Sequence, residues 1–400
     1  VNVPLREPLY PAPDEKIIFN KNIKIIEEQS TEIKLNASEH NKLIKKFFQF
    51  KRILIVAGQS DYKEKMSEIL AESIHKFKLP FVADVISNFH AIEEIIRHHD
   101  HFIGSDKNYK ILNPDLLITF GKSVLSKNLK IFLRKNKPLE HWHFQQAGEI
   151  ADTFQSLTHV IRESAEMFFK DLNEMDNDAE NKQVEYFNDW HNQNAKSKDY
   201  LEQFLSQSEF GEFKAAGIIL ENLPSCNLHI SNSMPVRYAN MIGLYTRHTH
   251  IEVNVNRGTS GIDGSNSTAT GASMASGKIT VLITGDMAFF YDRNAFWHNY
   301  PLPNLKIIIL NNHSGGIFRM IDGPSNLPEL EEFFETYQPL SAKLLAEEFD
   351  FEYQMCDNEK TLIESLKTCV QKNNKTQILE ILTDTKKNHS IYKSFIENFS

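Results

Sequence analysis

The residues best suited to chemistry follow two predicted strands in the second half of the chain. Gly285 and Asp286 close the run KITVLITGD, and Asn311 and Asn312 close the run LKIIILNN after a gap of 24 residues. A right-handed β-α-β crossover would bring both strand ends to one edge of a parallel sheet. Asp286, Asn312 and a carbonyl of the turn HSGG could then offer oxygen ligands to Mg²⁺, leaving room for a diphosphate and a water. The ordinary alternatives are a helix cap for Asp286 and a turn for the Asn pair.

A second candidate is the loop VNRGTSGIDGSNSTATGAS, residues 255–273, which has four glycines and seven hydroxyl residues and leads into a predicted helix. Free backbone N–H groups at a helix start bind anions, and glycine permits their close approach. The loop lacks the GxGxxG spacing, and GKS at 121–123 lacks the glycine at position 116 that a P-loop requires. Neither nucleotide fingerprint therefore applies.

Strands alternate with helices along the chain, which predicts an α/β fold of two doubly wound domains with mainly parallel sheets. The predicted strands are FKRILIVAG, PFVADVI, PDLLITFG and EHWHF in the first domain, and NLHISNS, IEVNVN, KITVLITG, LKIIILNN, FEYQM and TQILEILT in the second. We assign 1–30 to a lead-in, 31–170 to a central Rossmann-like domain without cofactor, 171–195 to a polar linker, and 196–400 to the second domain. The opening VNVPLREPLYPAP lacks an initiator Met and predicts that the chain continues a missing N-terminal domain.

The composition limits the partners of the chain. Its 400 residues are 41% hydrophobic and 24% charged, with a formal net charge of −9 and no basic stripe, which excludes a nucleic-acid partner and favours small molecules. The sequence contains neither a run of about 18 apolar residues nor a signal peptide, so we expect a cytoplasmic protein without membrane insertion. Cys226, Cys356 and Cys369 are predicted to be buried, reduced thiols.

The spacing of GD, 24 residues and NN resembles the thiamine diphosphate motif. SNSMPVR followed by NRGTSGIDG, and the opening VNVPLREPLYP, resemble one family of that superfamily, 2-succinyl-5-enolpyruvyl-6-hydroxy-3-cyclohexene-1-carboxylate synthase. The resemblance implies a transferase of menaquinone biosynthesis, a decarboxylating carboligase that joins 2-oxoglutarate to isochorismate and releases CO₂. It further implies thiamine diphosphate with Mg²⁺ or Mn²⁺ as cofactors, a diphosphate-binding role for residues 196–400, and a homodimer or homotetramer.

The resemblance also implies roles for individual residues. The metal would be held by Asp286, Asn312 and the carbonyl of Ser314. The remaining cofactor contacts would come from Ser233, Gly285, Met287, Ala288, Gly315, Gly316 and Ile317. The catalytic group would comprise Ile262 and Phe318 beneath the cofactor, Arg237 and Arg257 as clamps for substrate carboxylates, and Lys127 as a further cation. Arginine suits such carboxylates because its planar guanidinium binds them in a bidentate manner.

Two departures from the family pattern affect these expectations. Met287 stands where thiamine enzymes commonly have glycine, a change that a backbone contact tolerates. The family's activating glutamate belongs to the first domain and has no counterpart here, so the 400-residue chain alone is expected to bind cofactor weakly and not to turn over. Two alternatives stay open: a sister enzyme such as an acetohydroxyacid synthase or a 2-oxo acid decarboxylase, and a non-catalytic module that kept the cofactor pocket.

Histidine clusters occur at RHHDH, 97–101, and HTH, 248–250. We expect these to be solvated or hydrogen-bonded rather than zinc-binding, because zinc needs about four converging ligands. His141 and His143 of EHWHF are predicted to be packing residues on one strand face.

The segment 329–335 is predicted to be an exposed helix face, with a lid over the cofactor loop as the alternative.

Overall fold

The computed structural model describes residues 14, 16, 37–104, 110–175, 183–321 and 323–399. The predicted lead-in, 1–30, lies outside these residues apart from positions 14 and 16, and residues 176–182 of the predicted linker also lie outside them. Lys34–Ser400 belong to one compact unit. The boundaries proposed above for the two domains stay predictions.

The first half of the described chain builds a parallel sheet flanked by helices. Its strands are β1 (Ile53–Ala57), β2 (Phe81–Ala83), β3 (Leu116–Phe120), β4 (Glu140–Phe144) and β5 (His159–Ile161). Its helices are α1 (Ala37–Phe47), α2 (Glu64–Phe77), α3 (His99–Ile103), α4 (Lys127–Lys135) and α5 (Ala165–Asn173). The strand order is β2-β1-β3-β4-β5, and every pairing is parallel. The prediction omitted β5, because three residues are too few to show a periodicity.

The second half builds a larger parallel sheet. Its strands are β6 (Asn227–Ile230), β7 (Glu252–Asn254), β8 (Thr280–Gly285), β9 (Leu305–Asn311), β10 (Glu352–Cys356) and β11 (Gln377–Leu382). Its helices are α6 (Val184–Gln207), α7 (Glu212–Glu221), α8 (Met234–Ile242), α9 (Ser265–Ser276), α10 (Asp286–Tyr291), α11 (Lys343–Glu348), α12 (Glu359–Cys369) and α13 (Thr385–Glu397). The order is β10-β11-β9-β8-β6-β7, again parallel throughout. The predicted α/β fold with two doubly wound sheets is confirmed.

The central strand β9 shows why these strands are continuous apolar runs. Ile308 and Leu310 pack into the core cluster on one face of the sheet, and Ile307 and Ile309 pack into the cluster on the other face. Both faces are covered by helices, so every position must be apolar rather than every second one. The three cysteines are buried and free, as predicted. No helix of the described residues is long and apolar enough to cross a membrane.

The ends of β1 and β3 are closed against each other by direct backbone contact. In a sheet of this strand order, the gap between these two strand ends is the usual ligand crevice. Here the N–H of Gly58 donates to the carbonyl of Phe120 at 2.9 Å, and the N–H of Lys122 donates to that of Gln59 at 2.9 Å. A Cβ built on Gly58 would lie 2.2 Å from the carbonyl oxygen of Lys122. Only glycine therefore permits this approach of the two loops.

Replacing Gly58 by alanine is expected to lower the free energy of unfolding by about 2–3 kcal/mol, because the two loops must separate to admit the methyl group. Gly271→Ala is the matched control. Gly271 lies within α9, and a Cβ there would meet no described atom within 4 Å, so this variant is expected to gain roughly 0.5–1 kcal/mol. Urea unfolding of both variants measures the difference, and equal midpoints would contradict the close contact at Gly58.

Candidate active site

The pairing of β8 with β9 brings the GD and NN motifs to one edge of the second sheet. Gly285 is the register partner of Leu310. The residues that follow them, Asp286 after β8 and Asn311 at the end of β9, therefore lie side by side at the same edge of the sheet. The predicted meeting of these two strand ends is thereby confirmed. A Cβ on Gly285 would meet no described atom within 4 Å, so the backbone here faces open space.

The two asparagines at the end of β9 point to opposite faces of the sheet, because side chains alternate along a strand. Asn311 is fully buried, and its Nδ2 donates to Glu380 Oε1 at 2.7 Å and to the carbonyl of Leu340 at 3.0 Å. The Oδ1 atom of Asn312 accepts a hydrogen bond from the N–H of Ser314 at 2.9 Å. Asn312 lines the cavity described next, whereas Asn311 forms structural hydrogen bonds within the protein core.

A cavity of about 730 Å³ opens beyond the ends of β6, β8 and β9. It collects side chains from loops that are distant in sequence. The residues predicted from sequence that line it are Ser233, Arg237, Arg257, Ile262, Gly285, Asp286, Met287, Ala288, Asn312, Ser314, Gly315, Gly316, Ile317 and Phe318. The carboxyl ends of parallel strands are the usual ligand site of doubly wound folds, and this cavity is in that place.

Two buried carboxylates lie on the floor of this cavity. Asp286 is 4% exposed, and burial, reinforced by the negative charge of Glu212, raises its pKa to about 8. Glu212 is 3% exposed, and burial raises its pKa to about 7 although hydrogen bonds from Asn312 and Tyr238 oppose the shift. Across the described residues, neither carboxylate forms an ion pair with a Lys, Arg or His.

Two buried carboxyl groups without a cationic side chain as partner fit a bound cation, which would favour their ionised form. A buried charge is costly unless it is paired or coordinates a metal. The described residues contain no cluster of three or more His, Cys, Asp or Glu side chains around a common centre, so a metal here would rely on Asp286, the amide oxygen of Asn312 and a backbone carbonyl. Such an oxygen set, completed by phosphate oxygens and water, suits Mg²⁺ rather than zinc.

Two arginines form the opposite, positive part of the cavity. The Nη1 of Arg237 donates to the carbonyl of Ser233 at 2.6 Å, and that of Arg257 donates to Asn232 Oδ1 at 2.8 Å. Burial lowers the pKa of Arg257, and the charge of Arg237 acts in the same direction. The buried Nε of Arg257 has no hydrogen-bond partner among the described residues. Two neighbouring guanidinium groups with donors to spare are a site for a carboxylate.

The backbone of Ser233, next to the two arginines, has a strained conformation. Its φ of 75° with a ψ of −134° places a non-glycine residue in a region that side chains rarely adopt. Ser233 immediately precedes α8, which carries Arg237, and its carbonyl accepts the bond from that arginine. Strain of this kind persists where surrounding contacts impose it, and it concentrates at functional sites.

The HSGG turn is held by the segment that follows it. The N–H of Gly315 donates to the carbonyl of Glu335 at 2.7 Å, and a Cβ on Gly315 would lie 2.8 Å from the carbonyl oxygen of Phe334. Leu330–Glu335 form a π-helical turn, in which Leu330 and Glu335 are buried and the remaining residues are at least partly exposed. Phe333 and Phe334 line the cavity. The predicted exposed helix face is therefore partly buried, and the lid stays a prediction.

Lys127 is the one predicted catalytic residue that does not line the cavity. It is exposed and begins α4. Lys130, one turn later, is half-buried and donates to the carbonyl of Val124 at 3.0 Å. Burial lowers the pKa of Lys130, and the positive charge of Arg257 acts in the same direction. Lys130, rather than Lys127, is thus the lysine of α4 whose pKa is affected by the charge of Arg257.

His141 and His143 are not simple packing residues. Thr119 Oγ1 hydrogen-bonds to His141 Nε2 and to His143 Nδ1, each at 2.8 Å, and His143 Nε2 contacts Gln145 Oε1 at 3.2 Å. This chain lines a second cavity of about 560 Å³ beside β3 and β4. The prediction was right that both share one strand face, and it missed the threonine between them on the neighbouring strand.

The RHHDH segment is buried and hydrogen-bonded at the junction between the two sheets. His99 Nε2 contacts Asp84 Oδ1 at 3.2 Å, and His98 Nδ1 contacts the carbonyl of Met241 at 3.0 Å. Asp84 also accepts hydrogen bonds from the N–H of Leu125 at 2.5 Å and from Asn240 Nδ2 at 3.2 Å. These contacts tie α3, α4 and α8 together, which fixes the helix that carries Arg237.

Comparison with known proteins bears on the identity of this fold and cavity. Residues 19–228 match the family model described as the middle domain of thiamine pyrophosphate enzymes, and residues 236–381 match the C-terminal thiamine pyrophosphate-binding domain. A protein of Cytophaga hutchinsonii is 40% identical over 99% of this chain and 69% of its own length. It is named 2-succinyl-5-enolpyruvyl-6-hydroxy-3-cyclohexene-1-carboxylate synthase. This chain belongs to that synthase family.

Further relatives carry the same name. The protein of Flavobacterium psychrophilum is 38% identical over 100% of this chain and 71% of its own length. That of Bacteroides thetaiotaomicron is 32% identical over 99% of this chain and 69% of its own length. Membership of the synthase family confirms the resemblance read from SNSMPVR and NRGTSGIDG, and with it a thiamine diphosphate-dependent enzyme of the transferase class.

Three residues of the site were missed by the sequence analysis. Glu212 contacts Asn312, Asn232 contacts Arg257, and Lys130 lies near Arg257. Asn232 lies within the SNSMPVR motif and could have been singled out there. Glu212 resembles the ordinary acidic residue of a first helical turn, and Lys130 resembles any lysine of an amphipathic helix. Only the tertiary structure distinguishes these two residues, because Glu212 is buried in the cavity lining and the pKa of Lys130 responds to the charge of Arg257.

Proposed function

We propose that this protein transfers the succinic semialdehyde equivalent of 2-oxoglutarate to isochorismate, with release of CO₂, to give 2-succinyl-5-enolpyruvyl-6-hydroxy-3-cyclohexene-1-carboxylate in menaquinone biosynthesis. The observation that supports it most is one cavity that is lined both by two buried carboxyl groups and by two arginines. A divalent cation with a diphosphate suits the carboxyl groups, and a substrate rich in carboxylates suits the arginines. The relatives' name states the same product.

The cofactor end of the proposed site uses residues at the tips of β8 and β9. Asp286, the side chain of Asn312 and the carbonyl of Ser314 would hold Mg²⁺ or Mn²⁺. The backbone around Gly285 and the glycines of the HSGG turn would accept the diphosphate at close range. Thiamine diphosphate supplies, when bound, the electron sink that decarboxylation of a 2-oxo acid requires.

The substrate end uses the arginine pair. After loss of CO₂ the transferred unit keeps one carboxylate, and isochorismate brings two, so anionic groups remain at the site throughout the reaction. Arg237 and Arg257 would bind and orient these groups. The unpartnered Nε of Arg257 offers a donor that the protein itself does not use. Ile262 and Phe318 line the same cavity and would exclude water from the reacting atoms.

The test is an assay of the protein as its source cell produces it, with thiamine diphosphate, Mg²⁺, 2-oxoglutarate and isochorismate. We expect CO₂ release together with a product of the mass of the named synthase product, and no carboligation with pyruvate as donor. Preference for pyruvate would favour a sister enzyme such as an acetohydroxyacid synthase. Cofactor binding by calorimetry without turnover on any 2-oxo acid would favour a non-catalytic module.

We also propose that the protein is a homodimer or homotetramer. Trp297 is 85% exposed and Tyr300 66% exposed, and Tyr291, which lines the cavity, is 72% exposed. Large aromatic side chains that cluster on a surface are typical of protein interfaces. Sedimentation with and without cofactor measures the oligomeric state, and a monomer under both conditions would contradict this part of the proposal.

A further inference from the structure

Glu212 lies next to the proposed metal site although it is far from the GD and NN motifs in sequence. Its Oε1 accepts a hydrogen bond from Asn312 Nδ2 at 2.6 Å across a separation of 100 positions, and its Oε2 accepts one from the hydroxyl of Tyr238 at 3.2 Å. The side chain is almost completely buried and lines the same cavity. Both carboxylate oxygens are therefore engaged, one of them by a proposed metal ligand.

The backbone around Glu212 is also held in place. Its N–H donates to Asn388 Oδ1 at 3.0 Å, and Asn388 in turn donates from Nδ2 to Thr383 Oγ1 at 3.0 Å. A Cβ built on the preceding Gly211 would lie 2.8 Å from Ile391, so α7 and α13 are in close contact at this point. The carboxylate thus presents a fixed acceptor rather than a mobile one.

A fixed acceptor decides how the amide of Asn312 is oriented. The oxygen and nitrogen of a carboxamide have nearly the same shape, but only the nitrogen can donate a hydrogen bond, and Oε1 of Glu212 is the acceptor at this position while Oε2 accepts from the hydroxyl of Tyr238. Glu212 therefore selects the orientation in which Nδ2 faces it and Oδ1 faces away. The N–H of Ser314, which donates to Oδ1 at 2.9 Å, selects the same orientation. A carbonyl oxygen has two lone pairs, so Oδ1 keeps one for a cation.

We propose that Glu212 is a positioning residue of the metal site, whose carboxylate turns the amide oxygen of Asn312 toward the cation. The inference rests on the proposed function, because it assumes that Asp286 and Asn312 hold the metal. Groups that orient metal ligands typically change metal affinity by 10–100-fold when they are lost. Positioning requires an acceptor at Oε1 and not a negative charge. A glutamine in this place can supply that acceptor, and the tyrosine hydroxyl can accept its N–H.

The test compares Glu212→Gln with Glu212→Leu by titrating Mg²⁺ into protein and thiamine diphosphate and following cofactor binding by calorimetry. We expect E212Q to need about the same Mg²⁺ concentration as the unmodified protein, and E212L to need roughly 10–100-fold more. If E212L does not fold, Glu212→Ala replaces it. Water entering the vacated space can donate or accept, so only the N–H of Ser314 would still favour this orientation of Asn312, and a similar loss is expected.

Glu380 provides the matched control. It is a fully buried glutamate that accepts a hydrogen bond from Asn311 Nδ2 at 2.7 Å, on the side of the sheet away from the cavity. Glu380→Gln and Glu380→Leu are expected to change stability and to change the Mg²⁺ requirement far less than E212L does, because Glu380 acts on Asp286 only through its charge and makes no hydrogen bond to Asn312. In turnover assays E212L is expected to lower kcat while leaving the KM for 2-oxoglutarate nearly unchanged, because the arginine pair is untouched.

Two results would overturn the inference. One is an E212L or E212A protein that binds cofactor at the normal Mg²⁺ concentration. The other is an E212Q protein that loses as much Mg²⁺ affinity as E212L, which would assign a role to the charge rather than to the position. Failure of the proposed function has a different signature, because the unmodified protein would then bind thiamine diphosphate without any dependence on Mg²⁺.

Discussion

Asp286→Ala is expected to abolish Mg²⁺-dependent binding of thiamine diphosphate, with Kd raised by about 100-fold or more. Magnesium sites of this kind use one or two carboxylates, and Asp286 is the proposed one. Without it the cation is lost, and the diphosphate must approach the buried carboxyl group of Glu212 with no cation between them. Calorimetric titration of thiamine diphosphate with and without Mg²⁺ measures the effect.

Asp199→Ala, on the exposed face of α6, is the control with the same change of charge, and it should bind cofactor normally. Misfolding is tested separately. Removing an unpaired buried carboxylate relieves a cost in the cation-free protein, so D286A without cofactor should melt no lower than the unmodified protein. Retained Mg²⁺-dependent binding in a well-folded D286A protein would remove the metal site from the proposal.

Stability is expected to fall steeply between pH 6.5 and about pH 4. Burial lowers the pKa of six histidines that are at most 6% exposed to about 4; these are His90, His98, His101, His141, His229 and His248. Well above pH 6.5 they are neutral in both states. Below pH 6.5 the unfolded chain takes up protons that the folded chain does not, so each histidine costs about 1.4 kcal/mol per pH unit and all six cost up to about 8.

Urea unfolding at pH 7, 6 and 5 measures this slope. His141→Gln should lower this slope by roughly one proton, because one of the six groups no longer titrates. His99 should act in the opposite direction, since hydrogen bonding to Asp84 raises its pKa despite burial. Asp286 and Glu212 also act in the opposite direction, because their pKa values of about 8 and about 7 keep them protonated in the folded chain at pH values at which the unfolded chain has lost these protons. A free energy of unfolding that stays constant from pH 6.5 to pH 5 would contradict the assignment of neutral buried histidines.

Much of the fold was predictable because strands in covered parallel sheets are uninterrupted apolar runs. ILIVA, LLITF and LKIIILN each bury every residue, and each was predicted from composition and length alone. The strand β5 was not predictable in this way, since only Ile161 of its three residues is buried. Lys127 was placed from a motif, yet the rotation of α4 leaves it exposed and turns Lys130 inward.

By itself the sequence determined the two α/β units and the spacing that returns the GD and NN motifs to one sheet edge, because these depend on local periodicity and on the handedness of crossovers. The family followed from the resemblance of its motifs. Only the tertiary structure decided that Asn312 faces the cavity while Asn311 supports Glu380, and that Glu212 lies beside Asn312. Burial and hydrogen-bond partners arise from packing between segments 100 positions apart, and no pattern within either segment records them.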